Sequence, residues 1–99
     1  MHYLTFEHSE GADGVVTLDA MASTPAARHA QVLAEVQQVL AWARRHFPHT
    51  EGPVEEGMDW DHDLQVSMED GGWHSVTLTL SASARFAEAF FDAFGRPDE

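Results

Sequence analysis

The stretch Leu64-Gln65-Val66-Ser67-Met68-Glu69-Asp70-Gly71-Gly72-Trp73-His74-Ser75-Val76-Thr77-Leu78-Thr79-Leu80 decides the fold. Apolar and polar residues alternate on both sides of a Gly-rich centre, the period-two signature of a half-buried strand pair. A two-residue Gly71-Gly72 turn opposes Val66 with Thr77 and sends the two apolar sets to opposite faces, which a half-buried sheet forbids. A three-residue loop, Asp70-Gly71-Gly72, opposes Val66 with Val76 and Leu64 with Leu78 on one face. That loop is predicted, with Gly72 in the left-handed position of a bulged turn.

Downstream, Phe86, Phe90 and Phe94 recur at i, i+4, i+8, joined by Phe91, and Gly95 and Pro97 end the pattern. This predicts a helix over 83–94 with its aromatic stripe in the core. Upstream, the same plan appears once more. Leu4 and Phe6, then Val16, Leu18 and Ala20, alternate around Glu10-Gly11-Ala12-Asp13-Gly14. A hairpin over 2–22 follows, with Phe6 opposite Val16 and Leu4 opposite Leu18. Thr24 as N-cap and Pro25 at the first helical position then open a helix over 24–47. Its apolar face is Val32, Leu33, Val36, Val39, Leu40, Ala43 and Phe47, with Arg44, Arg45 and His46 against the dipole in the last turn.

Residues 48–61 read as an acidic loop and 62–81 as the second hairpin, all in one domain, 1–99. The outward strand phase (Tyr3, Thr5, Glu7; Thr17, Asp19, Met21; Gln65, Ser67, Glu69; Trp73, Ser75, Thr77, Thr79) is mainly polar, as for an antiparallel sheet with one wet side. The expected class is α+β: a two-layer ββαββα sandwich, a four-stranded antiparallel sheet with two helices packed on one face.

Composition excludes several functions. The 99 residues hold seventeen acids, five arginines, no lysine and no cysteine, for a formal net charge of −12. Disulfides, thiolate catalysis and Cys-ligated metals are ruled out. Binding to nucleic acid or anionic lipid, which needs clustered cations, is not expected. No basic leader and no span of about 18 apolar residues is present, so a soluble cytoplasmic protein is expected.

The sharpest chemical candidate is Asp59-Trp60-Asp61-His62-Asp63. Alternate carboxylates resemble the opening of an EF-hand calcium loop, although Leu64 stands where glycine is needed and Asp70 where the longer glutamate closes the site. Asp59, Asp61, His62 and Asp63 are therefore the candidate ligands of a divalent metal ion, with His2, His8 and His74 as further strand-end imidazoles. In an extended strand His62 points away from Asp61 and Asp63, so joint chelation requires a loop there. No nucleophile elbow, phosphate loop or zinc-protease motif occurs, and His74 and Ser75 face opposite sides of one strand.

Trp42 sits within the first helix, and Tyr3, Met21, Trp60 and Trp73 are the candidate binding surface, since aromatic side chains anchor interfaces at low entropic cost. The expectation is a non-enzymatic protein-interaction or regulatory module, without a cofactor. Its partner would be a basic protein surface or a second copy of the chain, as a homodimer. The alternative is a metal-binding protein or metal-dependent enzyme built on residues 59–63.

Overall fold

The structure is a computed structural model that describes residues 3–95. The sheet is built from β1 (Phe6–Glu10), β2 (Val16–Pro25), β3 (Trp60–Glu69) and β4 (Trp73–Ala82), all antiparallel, in the order β1-β2-β4-β3. The helices α1 (Ala26–His46) and α2 (Ala84–Phe94) pack on one face, giving the α+β sandwich.

The second hairpin has the expected register, with Val66 opposite Val76, Leu64 opposite Leu78 and Glu69 opposite Trp73. Its loop is Asp70-Gly71-Gly72, with φ +82° at Gly71 and +79° at Gly72, two left-handed positions that favour glycine. The first hairpin differs from its expected register. Phe6 pairs with Ala20 and His8 with Leu18, a shift of four residues that leaves every side chain on its expected face. The polar His8, Ser9 and Glu10 extend β1, and the His8 ring meets Phe91 of α2 edge-on at 5.2 Å. The loop is residues 11–15, closed by the Gly11 amide on the Val15 carbonyl at 2.8 Å.

The start of α1 also differs. Thr24 pairs with His74 inside the β2–β4 ladder and does not cap, and Pro25 is the N-cap, with no side-chain hydrogen bond. A β-branched residue facing the helix layer suits a strand better than a turn. Proline closes β2 at no cost to the ladder, because at this odd position the amide points past the end of β1. Between helix and sheet here, Thr24 Oγ1, His29 Nδ1 and His74 Nδ1 are buried without hydrogen-bond partners among the described residues, and the two imidazoles lie 4.5 Å apart.

The core joins Leu18, Leu78, Leu80 and Val76 of the sheet to Val32, Val36 and Val39 of α1 and Phe86 and Phe90 of α2. The α2 helix runs from one sheet edge to the other. Phe86 stacks on Trp60 of β3 (5.7 Å), Phe90 meets Phe6 of β1 (5.0 Å) and Phe91 meets His8. Trp42 of α1 is buried and packs edge-on against Phe86, Phe90 and Phe94. Neither helix is long and apolar enough to cross a membrane.

Candidate functional site

β3 is an edge strand of ten residues, and its two halves have different surroundings. At its start Trp60 is fully buried. The indole N–H donates to the Phe47 carbonyl at the end of α1 (3.3 Å). The Trp60 main chain is bonded on its outer side: its amide donates to the Thr50 carbonyl (3.3 Å) and its carbonyl accepts from the Gly52 amide (2.8 Å), a short parallel bridge through Glu51. Residues 50–52 thus cover the beginning of this edge.

Backbone direction alternates along a strand, so His62, Leu64, Val66 and Met68 also aim their N–H and C=O away from β4. His62 donates its amide to Asp61 Oδ1 (2.9 Å). Beyond it, among the described residues, no strand pairs with the outer edge of β3, and residues 65–69 are exposed on both faces. Val66 is 48% and Met68 75% exposed on the helix side. Here the expected core phase is right, but neither helix covers it: α1 begins over His74 on the central strand, through His29, and α2 crosses the other end of the sheet.

The open face adds charge. Glu7, Asp19, Thr79 and Asp63 form one row across all four strands, with Glu7 directly opposite Asp19. Like charges in register are destabilising, so this row opposes stability. Met21 (68% exposed) and Trp73 (46%) stand on the same face, and a shallow hollow there is lined by Thr5, Glu7, Asp19 and Met21.

The candidate surface residues therefore separate. Met21 and Trp73 share the open face, Trp60 belongs to the core, and Tyr3 turns to the helix layer. Its hydroxyl donates to Gln31 Oε1 (2.7 Å), while its amide and that of Leu4 donate to the Glu35 carboxylate (3.0 and 2.9 Å). The signal for this was Tyr3's place ahead of the first alternating strand residues, where facing is not fixed by the pleat.

The candidate metal ligands separate too. Asp59 is buried and ion-paired with Arg85, through Nη2 and through Nε at 3.3 Å, and it accepts from Ser83 Oγ at 2.8 Å. The Arg85 guanidinium, helped by Ser83, holds its carboxyl below the usual carboxylate range against the opposing effect of burial. Ser83 in turn accepts the Phe86 amide as N-cap of α2 (3.1 Å), so Asp59 ties the loop to a helix start. Asp63 lies on the open face and accepts from Gln65 Nε2 (3.2 Å). The segment is strand and not the loop that joint chelation was expected to need, yet Asp61 and His62 come together, because Asp61 turns its carboxylate to the outer edge where it accepts the His62 amide. They meet a third group that sequence reasoning missed, Glu51. Its Oε2 is 3.1 Å from His62 Nδ1, and ligand atoms of the three residues lie within 4.8 Å of one another. Glu51 is eleven positions from His62, and only the parallel bridge to Trp60 makes them neighbours. His8 and His74 are elsewhere on the sheet, and His2 lies outside the described residues.

A groove of about 480 Å³ separates the β1–β2 loop from residues 54–59 and the start of α2, lined by Asp13, Glu55, Met58 and Ser83 among others. Asp59, which also lines it, is already paired with Arg85. Comparison with protein-family models, with curated proteins and with solved structures found no match to this chain.

Proposed function

We propose that this chain is a protein-interaction module that takes up an extended segment of a basic protein as an added strand along β3. The observation that supports this reading is the second half of β3, exposed on both faces and with no strand among the described residues bonded to its outer edge. Long open edges are usually blunted by lysine, proline or a covering loop. The covering loop here stops at residue 52, and β3 contains neither lysine nor proline. Main-chain bonding supplies affinity in strand addition, and alternate side chains supply selectivity.

The two faces of β3 define the segment it would take. Asp63 and Glu69 lie on the open face, Asp63 continuing the row through Asp19 and Glu7, and Asp61 turns its carboxylate toward the outer edge. Val66 and Met68 lie on the other face. An incoming strand that alternates lysine or arginine with an aliphatic residue meets carboxylates on one side and apolar groups on the other. A second copy of the chain fits less well, since antiparallel β3–β3 pairing sets acids against acids in a molecule of charge −12.

The test uses an eight-residue peptide alternating lysine and valine, titrated by calorimetry against the wild-type chain and Val66→Pro. Proline removes one outward N–H and nothing from the β3–β4 ladder. The expected result is saturable binding at low salt that Val66→Pro abolishes and a glutamate–valine peptide does not reproduce. Equal affinity for Val66→Pro, or concentration-dependent dimerisation through this edge without peptide binding, overturns the reading.

A further inference from the structure

We infer that Glu51, Asp61 and His62 form a binding site for a first-row divalent metal ion of the zinc class, independent of strand addition. Among the described residues this is the place where three metal-ligating side chains converge. A histidine distinguishes it from the solvated acids elsewhere on the surface, because a neutral imidazole adds a directional nitrogen lone pair to two carboxylates.

The site is partly organised before any ion enters. The His62 ring packs on Trp60 at 5.9 Å with 28° between planes, and Trp60 is fixed in the core by its bond to Phe47. The backbone bridge between Glu51 and Trp60 brings the other segment alongside. His62 Nδ1 and Glu51 Oε2 are 3.1 Å apart. Two ligands bonded to one ion at about 2.0–2.2 Å stand about 3.0–3.5 Å from each other, so that separation already matches. Asp61 completes the group, with its ligand atom within 4.8 Å of those of Glu51 and His62.

Charge and donor type choose the ion. Glu51 and Asp61 are like charges held close together. Arg44, whose Nε is 3.5 Å from Glu51 Oε1, is half exposed and only partly offsets them. One nitrogen and two carboxylates suit zinc, manganese, cobalt or nickel, whereas calcium takes six to eight oxygens. Three protein ligands leave room for water, and the ion would cross-link residues 50–52 to β3. Arg44 acts as a built-in competitor for Glu51.

Calorimetric titration of chelator-treated protein with zinc chloride tests this, with magnesium and calcium chloride as comparisons. We expect one zinc per chain, at least tenfold weaker in His62→Ala and in Glu51→Gln, unchanged in Asp63→Asn and several-fold tighter in Arg44→Ala. Circular dichroism checks that each variant is folded. Glu51 is exposed, so Glu51→Gln keeps the test decisive if His62→Ala unfolds. Zinc is also expected to slow amide exchange at Gly52 and Trp60. Absence of saturable zinc binding overturns the site. So does binding that survives both His62→Ala and Glu51→Gln, or that falls equally in Asp63→Asn.

Discussion

From residue 60 to 64, β3 lies beneath the aromatic end of α2 and beside the 50–52 segment, and from 65 to 69 it is exposed, with no cover among the described residues. Both halves carry the same alternation: Trp60, His62 and Leu64, then Val66 and Met68, all on the helix side. In the first half Trp60 finds Phe86 and the Phe47 carbonyl, and Leu64 packs against the core. In the second, Val66 and Met68 meet solvent. Periodicity decides the face a side chain takes, whereas cover depends on where the helices happen to land. An uncovered apolar edge beside a row of acids is a place where local rules of stability are broken, and such places tend to be functional.

The contrast can be broken most forcefully at its aromatic residues. Trp60→Ala should cost about 3–5 kcal/mol in chemical denaturation, as for a large side chain cut from a core. Trp73→Ala, at the far end of the hairpin, should cost less than about 1 kcal/mol. Similar losses at both positions would mean that the second half is packed after all.

A proline pair sharpens the same comparison along the backbone. Gln65→Pro removes an amide aimed at β4 and should cost about 2–3 kcal/mol. Val66→Pro removes an amide aimed at solvent and should cost under about 1 kcal/mol. Equal costs would reverse the assigned bonding direction.

In the covered half, Asp59→Asn tests the tie between the loop and α2. Because the folded carboxyl titrates below its ordinary value of 3.8, its contribution is complete above about pH 4 and fades as pH falls through the lowered folded value. The asparagine variant should lose about 1 kcal/mol near neutral pH, discounted because Arg85 is largely in solvent, and should show a flatter stability profile below pH 4. An unchanged acid profile would remove this ion pair from the account.

The smallest expected effect is favourable. Thr24→Val replaces a buried hydroxyl that has no partner with a methyl of the same shape, and should stabilise by about 0.5–1 kcal/mol. Destabilisation would mean that the hydroxyl is bonded in solution.

The ββαββα plan, the α2 bounds and the second hairpin with its three-residue loop were legible because apolar alternation and two glycines constrain them together. The first hairpin was less so: a shift of four residues preserves every facing, so pattern alone does not separate Phe6–Val16 from Phe6–Ala20. Thr24-Pro25 reads as a helix start from local preference, and its cross-strand partners His74 and Trp73 outweigh that preference. Of the four acidic-run residues, Asp61 and His62 converge with Glu51. Asp59 is taken by Arg85, a contact across 26 residues, and Glu51 enters through a parallel bridge that leaves no periodic trace. Met21 and Trp73 share the open face, whereas Trp60 and Tyr3 show that an aromatic residue in an outward or edge position in the sequence need not be exposed.

Residue-resolved amide hydrogen exchange along β3 tests the open edge most directly. The account predicts alternation over residues 64–68: Leu64, Val66 and Met68 exchange almost as fast as unstructured amides, while Gln65 and Ser67, bonded to β4, are protected. Uniform protection of all five would contradict it, because the outer edge of β3 would then already be paired.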